Sequence, residues 1–162
     1  MRHLLPLILL CSLAACGSDD PKALTAAGTK ALNSGDAKEA VSNFDRALAQ
    51  MDAGNPDFLR ASIGRCLALA RIDPERAQSD FLALAQSQPA RVQEPEYVAV
   101  ASELAEKGAI GPATAIAEAG MKRYPESPAM IALRDTIGDA AKKAGDPESL
   151  KKLKGLGYTG DG

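Results

Sequence analysis

The sequence predicts an all-α chain, a stack of about four helical hairpins, and three observations carry that expectation. Alanine and aromatic residues recur at a helical-repeat interval, seven of the ten prolines stand where a helix can begin, and the chain holds no tryptophan. β architectures draw on β-branched and aromatic strands, which are scarce here, so an alanine-rich core has to be built from closely packed helices.

The repeat is visible in the second helix of each hairpin. Ala40-x3-Phe44-x2-Ala47 returns as Ala77-x3-Phe81-x2-Leu84 and, more degenerately, as Ala113-x3-Ala117-x2-Gly120, with leading alanines 37 and 36 residues apart. Short side chains at these places let paired helices approach, and large ones would push them apart.

Each element has a local reason to start where it does. The first helix, 21–33, opens at Asp20-Pro21 and carries Leu24, Ala27, Gly28 and Ala31. The second, 37–51, opens without proline at Gly35-Asp36; the third, 57–70, opens at Asn55-Pro56; the fourth, 74–86, opens at Asp73-Pro74. The fifth, 95–107, follows Glu94-Pro95 and has Tyr97, Val100, Ala101 and Leu104 in the corresponding places, and the sixth, 112–123, follows Gly111-Pro112. The seventh, 128–144, begins at Ser127-Pro128 with Ile137, Gly138 and Ala141 inside, and the eighth, 147–154, begins at Asp146-Pro147. A capping carboxylate, amide or hydroxyl satisfies a free N–H of the first turn, and proline at that turn has no N–H to leave unpaired.

Taken together, these residues resemble the tetratricopeptide repeat. Gly35-Asp36-Ala37-Lys38-Glu39-Ala40 looks like the family's turn and second-helix start, and the resemblance covers roughly 21–153. The first-helix aromatic is absent from copies one and two, copy two carries about one extra residue at Arg71–Asp73, and copy four is barely recognisable beyond Ile137, Gly138, Ala141 and Gly145. Terminal repeats are atypical because they cap the stack. The resemblance implies a concave groove lined by the first helices, with Thr25, Thr29, Asn33, Phe58, Arg65, Val98, Ser102 and Asp139 on it. Arg65 is the best anchor for a partner carboxylate, since guanidinium grips it bidentately; the alternative is an Arg solvated or paired within the array. Family members that clamp a partner's C-terminal carboxylates use several Lys and Asn on the first two repeats. Only Lys22 and Asn33 are offered here, and no such clamp is expected.

The N-terminus carries a second resemblance. Arg2, the apolar run from Leu4 to Leu10 and Leu13-Ala14-Ala15-Cys16 follow the order of a bacterial lipoprotein signal ending in a lipobox. The apolar stretch is too short to serve as a permanent transmembrane helix. The resemblance implies cleavage of 1–15 and acylation of Cys16 as the new N-terminus, leaving 16–20 as a short tether, 21–154 as the repeat domain and 155–162 as a tail. The alternative is an ordinary secreted protein cut near Ala15, with Cys16 a free thiol. Gly17 follows Cys16, where by resemblance an aspartate would retain the protein at the inner membrane, so the expected location is the outer membrane, facing the periplasm. Gly17, Ser18 and Asp19 alone separate the anchor from the first cap, a reach on the order of 10–15 Å.

Processing would also narrow the chemistry. It removes His3, the sole histidine, and with it imidazole acid–base chemistry and a Ser-His-Asp triad. It removes Cys11, and with Cys16 acylated Cys66 is the only thiol left, so no disulfide can form within one chain. Cys66 lies among Ile63, Leu67, Ala68 and Leu69 and reads as a small buried apolar residue. No metal-ligand spacing or phosphate-cradling glycine loop is present, so neither metal nor cofactor is expected. The formal charge is −2, and −3 once Arg2 is lost, which gives nucleic acid no electrostatic footprint. Lys142, Lys143, Lys151, Lys152 and Lys154 make the C-terminal end basic; they could meet anionic headgroups or an acidic partner, although such lysines are more often a solvated face complementing helix ends. Leu156 or Tyr158 is expected to fold back over the last hairpin.

The resulting expectation is a non-enzymatic adaptor held to an envelope membrane through Cys16, binding another envelope protein or peptide segment by its groove or its convex face. The alternative is a carrier or wall-associated protein that holds a small molecule or a peptidoglycan fragment.

Overall fold

The computed structural model describes residues 20–160. The leader, Cys16 and the tether 17–19 lie outside the described residues, so the signal, lipidation and tether expectations fall there. Among the described residues the chain is all-helical: α1 Pro21–Asn33, α2 Ala37–Leu48, α3 Phe58–Leu69, α4 Pro74–Ser87, α5 Glu94–Glu106, α6 Ile110–Arg123, α7 Pro128–Ala144 and α8 Pro147–Gly155.

Most starts follow the expected cap chemistry. Asp20, Asp36, Asp73, Ser127 and Asp146 each accept the N–H three residues on with the side chain, as in Asp20 Oδ2 to Ala23 N at 2.9 Å. Gln93 precedes α5, and its N–H donates to Glu96 Oε2 at 2.8 Å. Two starts differ. Asn55 does not cap α3: its Oδ1 accepts the Asp57 N–H at 2.9 Å in a local turn, and the helix begins at Phe58. Pro112 is the third residue of α6, which begins at Ile110; the missing N–H still falls within the first turn, where no intrahelical partner exists. At the other end, α2 stops at Leu48, three residues early.

The helices form successive antiparallel pairs whose neighbours repeat. Each odd-numbered helix packs on the next even one, α1 touches α3, α3 touches α5 and α5 touches α7, while α4 touches α6 and α6 touches α8. Gly35, Gly108 and Gly145 take positive φ in the turns inside the first, third and fourth pairs, where a left-handed residue reverses the chain after the last helical carbonyl. The second pair has no glycine there. Its longer turn runs through Arg71 and Ile72, and Ile72 is the exposed large hydrophobic of the described residues.

Packing follows the alanine register. Ala40, Ala77 and Ala113 are completely buried, as are Phe81, Ala117 and Leu153. Copy four keeps that register in α8: Ser149 and Leu153 lie 36 residues after Ala113 and Ala117, and both are buried. Tyr158 is the tail residue that folds back. Its ring covers Gly138, where an added β-carbon would lie 2.4 Å from it, and its hydroxyl donates to Asp139 Oδ1 at 2.7 Å.

Arginines tie the pairs to one another along the chain. Arg71 Nη1 donates to the Leu32 carbonyl at 2.8 Å and its Nε to Glu103 Oε1 at 2.7 Å, so one side chain joins α1, the α3–α4 turn and α5. Arg91 donates to the carbonyls of Ala53, Asn55 and Pro56. Arg123 does the same to Pro89, and within the fourth pair Arg134 donates to the Leu156 carbonyl.

Candidate functional site

A concavity with a mainly apolar lining opens between α1 and α3, with the start of α5 at one side, and holds about 530 Å³. Its wall is an apolar stripe on α3, Leu59, Ile63 and Leu67, spaced i, i+4, i+8 on one side of the helix and half-buried. Leu32 closes the α1 side and the ring of Phe44 forms the floor. Phe44 reaches this place because Gly28 on α1 and Gly64 on α3 present no side chain to it; β-carbons there would lie 2.9 Å and 2.5 Å from the ring.

The rim is polar. Thr29 turns its hydroxyl to its own helix, donating to the Thr25 carbonyl at 2.9 Å, which leaves oxygen lone pairs outward. The exposed Asn33 amide makes no hydrogen bond within the described residues and is open to a ligand. Arg60 is ion-paired with Asp57, while Arg91 and Glu96 are engaged by the backbone contacts already described. An apolar side chain entering here would leave water, and the backbone carrying it would meet amide and hydroxyl groups at the rim.

The eight residues expected on a groove do not come together. Thr29 and Asn33 line this cavity. Phe58 and Arg65 face a smaller one, about 320 Å³, between α3 and α4 with Ser62, Cys66 and Asp80. Thr25 is buried and donates to the Pro21 carbonyl at 2.8 Å. Val98 and Ser102 are half-buried on α5, apart from both cavities, and Asp139 accepts the Tyr158 hydroxyl.

Arg65 is held within the array. Its Nη2 donates to Asp80 Oδ2 at 2.8 Å, and its Nε lies 2.9 Å from Asp45 Oδ1, a charge contact out of hydrogen-bond alignment. One guanidinium therefore links α2, α3 and α4, and its Nε and Nη2 are already turned to carboxylates of the same chain.

The neighbouring Cys66 thiol is pushed up to about 12, first by burial and then by the charge of Asp80, against which Arg65 acts in the opposite sense. It is neutral and shielded at physiological pH, the condition of a packing residue and not of a nucleophile. Among the described residues no group of three His, Cys, Asp or Glu is placed to hold a metal, and no helix is long and apolar enough to cross a membrane.

The residues that sequence reasoning missed are the apolar ones. Leu59, Ile63 and Leu67 carried a legible signal, an apolar stripe on a helix that already had a core stripe in Ala61, Ala68 and Leu69. Arg91 and Glu96 carried none, because their place at the rim depends on how α5 follows α3. Comparison with known proteins returns no matching family model, curated protein or solved structure.

Proposed function

We propose that the chain is a non-enzymatic adaptor of the bacterial envelope, a tetratricopeptide-like array anchored by lipid on Cys16, which receives an apolar side chain of a partner segment between α1 and α3. The observation that carries this reading is the cavity of about 530 Å³ on the side of the first helices, with an apolar wall and an amide-bearing rim. The contacts from α1 to α3, α3 to α5 and α5 to α7 support the array, as does the alanine register. The lipobox at Leu13 to Cys16 supports the anchor, and Gly17 supports the outer membrane.

The test is crosslinking in cells. Photoreactive residues at Asn33 and Ile63 are expected to trap one discrete protein, whereas Lys38 and Gln78, on α2 and α4, trap less. Adducts with α2 and α4 alone would replace the groove with a convex-face contact. Cys16→Ser is expected to leave an unlipidated precursor that enters the aqueous phase after detergent partition, and a variant that stays with membranes removes the anchor from the reading.

The volume of the cavity also falls in the range that holds small molecules, about 300–1,000 Å³, which favours the carrier as second reading. Adducts with wall fragments or a small ligand at Asn33 and Ile63, without protein, would select it.

A further inference from the structure

We infer that the C-terminal end of the array docks on an anionic lipid surface through the outer side of α8. Between 142 and 154 the chain holds five lysines and two carboxylates, Asp146 and Glu148; Glu118 of α6 is a third carboxylate near Lys152 and is itself paired with Lys122 at 2.8 Å. Glu148 is taken by Lys152 at 3.0 Å, and Asp146 by the cap of α8, where it accepts from both N and Oγ of Ser149. Lys142 donates to the Gly160 carbonyl. Lys143, Lys151 and Lys154 are exposed and form no ion pair within the described residues.

Lys151 and Lys154 flank a shallow notch whose floor is Pro147 and Leu150. Along the array α6 covers α4 and α8 covers α6, and among the described residues no further helix covers α8. A short helix with a small apolar notch between unpaired lysines fits a headgroup layer: the stems and Leu150 settle at the boundary while the ammonium groups meet phosphates. Lysine is a compact charge without the planar fork that grips a particular carboxylate, so the surface is suited to a spread negative potential more than to one acidic peptide.

α8 touches α6 and α7, while α1 touches α2 and α3, so the two helices end opposite sides of the stack. Resting on the anchored reading for this step alone, a lipid at Cys16 and a lysine contact at α8 lay the array lengthwise on the membrane and do not let it stand on one end.

The experiment uses the whole chain with Cys16→Ser, so that no acyl chain contributes. Binding is measured by co-sedimentation with vesicles of phosphatidylcholine alone and of phosphatidylcholine mixed with phosphatidylglycerol. The leader, with Arg2 and the N-terminal amine, adds its own preference for the anionic vesicles, which a peptide of residues 1–19 measures and which is subtracted. Binding is expected to be higher on the anionic vesicles, to fall as salt rises, and to lose at least about tenfold of the excess in a Lys143→Gln, Lys151→Gln, Lys154→Gln variant with unchanged circular dichroism. A Lys22→Gln, Lys30→Gln, Lys38→Gln variant keeps the excess. Equal binding to the two vesicles overturns the proposal, as does an excess that survives in the first variant. A patch that is silent on lipid but needed to retain an acidic protein also overturns it. None of these outcomes touches the anchor, which the detergent partition of the acylated chain decides separately.

Discussion

Phe44 occupies the volume that Gly64 leaves open: a β-carbon on Gly64 would lie 2.5 Å from Phe44 Cζ. The ring is 1% exposed and Gly28 packs against it as well, so a β-carbon at either glycine meets it. Alanine at position 64 would gain about 1 kcal/mol in helix propensity. Overpacking is expected to outweigh it, for a net loss of about 1–3 kcal/mol in urea unfolding. Gly64→Ala combined with Phe44→Leu should recover part of the loss. A Gly64→Ala protein as stable as the parent would show that the ring is not clamped.

Arg71 joins three hairpins, and its removal should be felt globally. Arg71→Ala leaves the largely buried Glu103 with Lys107 alone, at 3.8 Å, and takes the side-chain donor from the Leu32 carbonyl, which keeps the Gly35 N–H at 3.2 Å. The expected cost is about 1–3 kcal/mol. Lys122→Ala, which removes an exposed pair with Glu118, should cost no more than about 0.5 kcal/mol. Equal losses in the two variants would mean that Arg71 is an ordinary surface charge.

Thr114 is completely buried on α6 and its hydroxyl has no hydrogen-bond partner among the described residues. Valine has the same branching without the stranded polar group. Thr114→Val is therefore expected to stabilise by about 1 kcal/mol, read as a rise in melting temperature, while Thr114→Ser is not. A fall in melting temperature with valine would point to an ordered water on the hydroxyl.

The raised Cys66 thiol gives a pH signature with a definite sign. Its ordinary value is 9.0 and its folded value about 12, so above pH 9 the unfolded chain gives up its proton before the folded one does. The thiol contributes its full share below that point, and stability falls as pH rises from about 9 to about 12. Cys66→Ala should flatten this part of the stability profile. Iodoacetamide at pH 8 should alkylate Cys66 slowly in the folded protein and rapidly in denaturant, and equal rates would contradict its burial.

Much of this fold was legible because it is local. Each helix starts within two residues of its expected position, since a capping side chain and a proline act within one turn. The alanine register held through copy four, where Ser149 and Leu153 continue it without resembling it. The candidate site was legible only in part. Thr29 and Asn33, on the outward side of α1, line the cavity, but on α3 two stripes run side by side. Phe58, Ser62 and Arg65 turn toward α4, and Leu59, Ile63 and Leu67 face the opening. Neighbouring residues differ by about 100° around a helix, so one residue of phase decides between the stripes.

By itself the sequence determined that the chain is helical, where its helices begin and which small residues let them pair, because these depend on side chains within a turn of one another or on a repeated spacing. Only the tertiary structure decided that Arg65 is spent on Asp45 and Asp80, that Arg71 reaches Leu32 and Glu103, and that Phe44 floors an apolar cavity. Those outcomes depend on the angle and offset between neighbouring helices and hairpins, which set distances between residues some 15 to 40 positions apart and which no local pattern encodes.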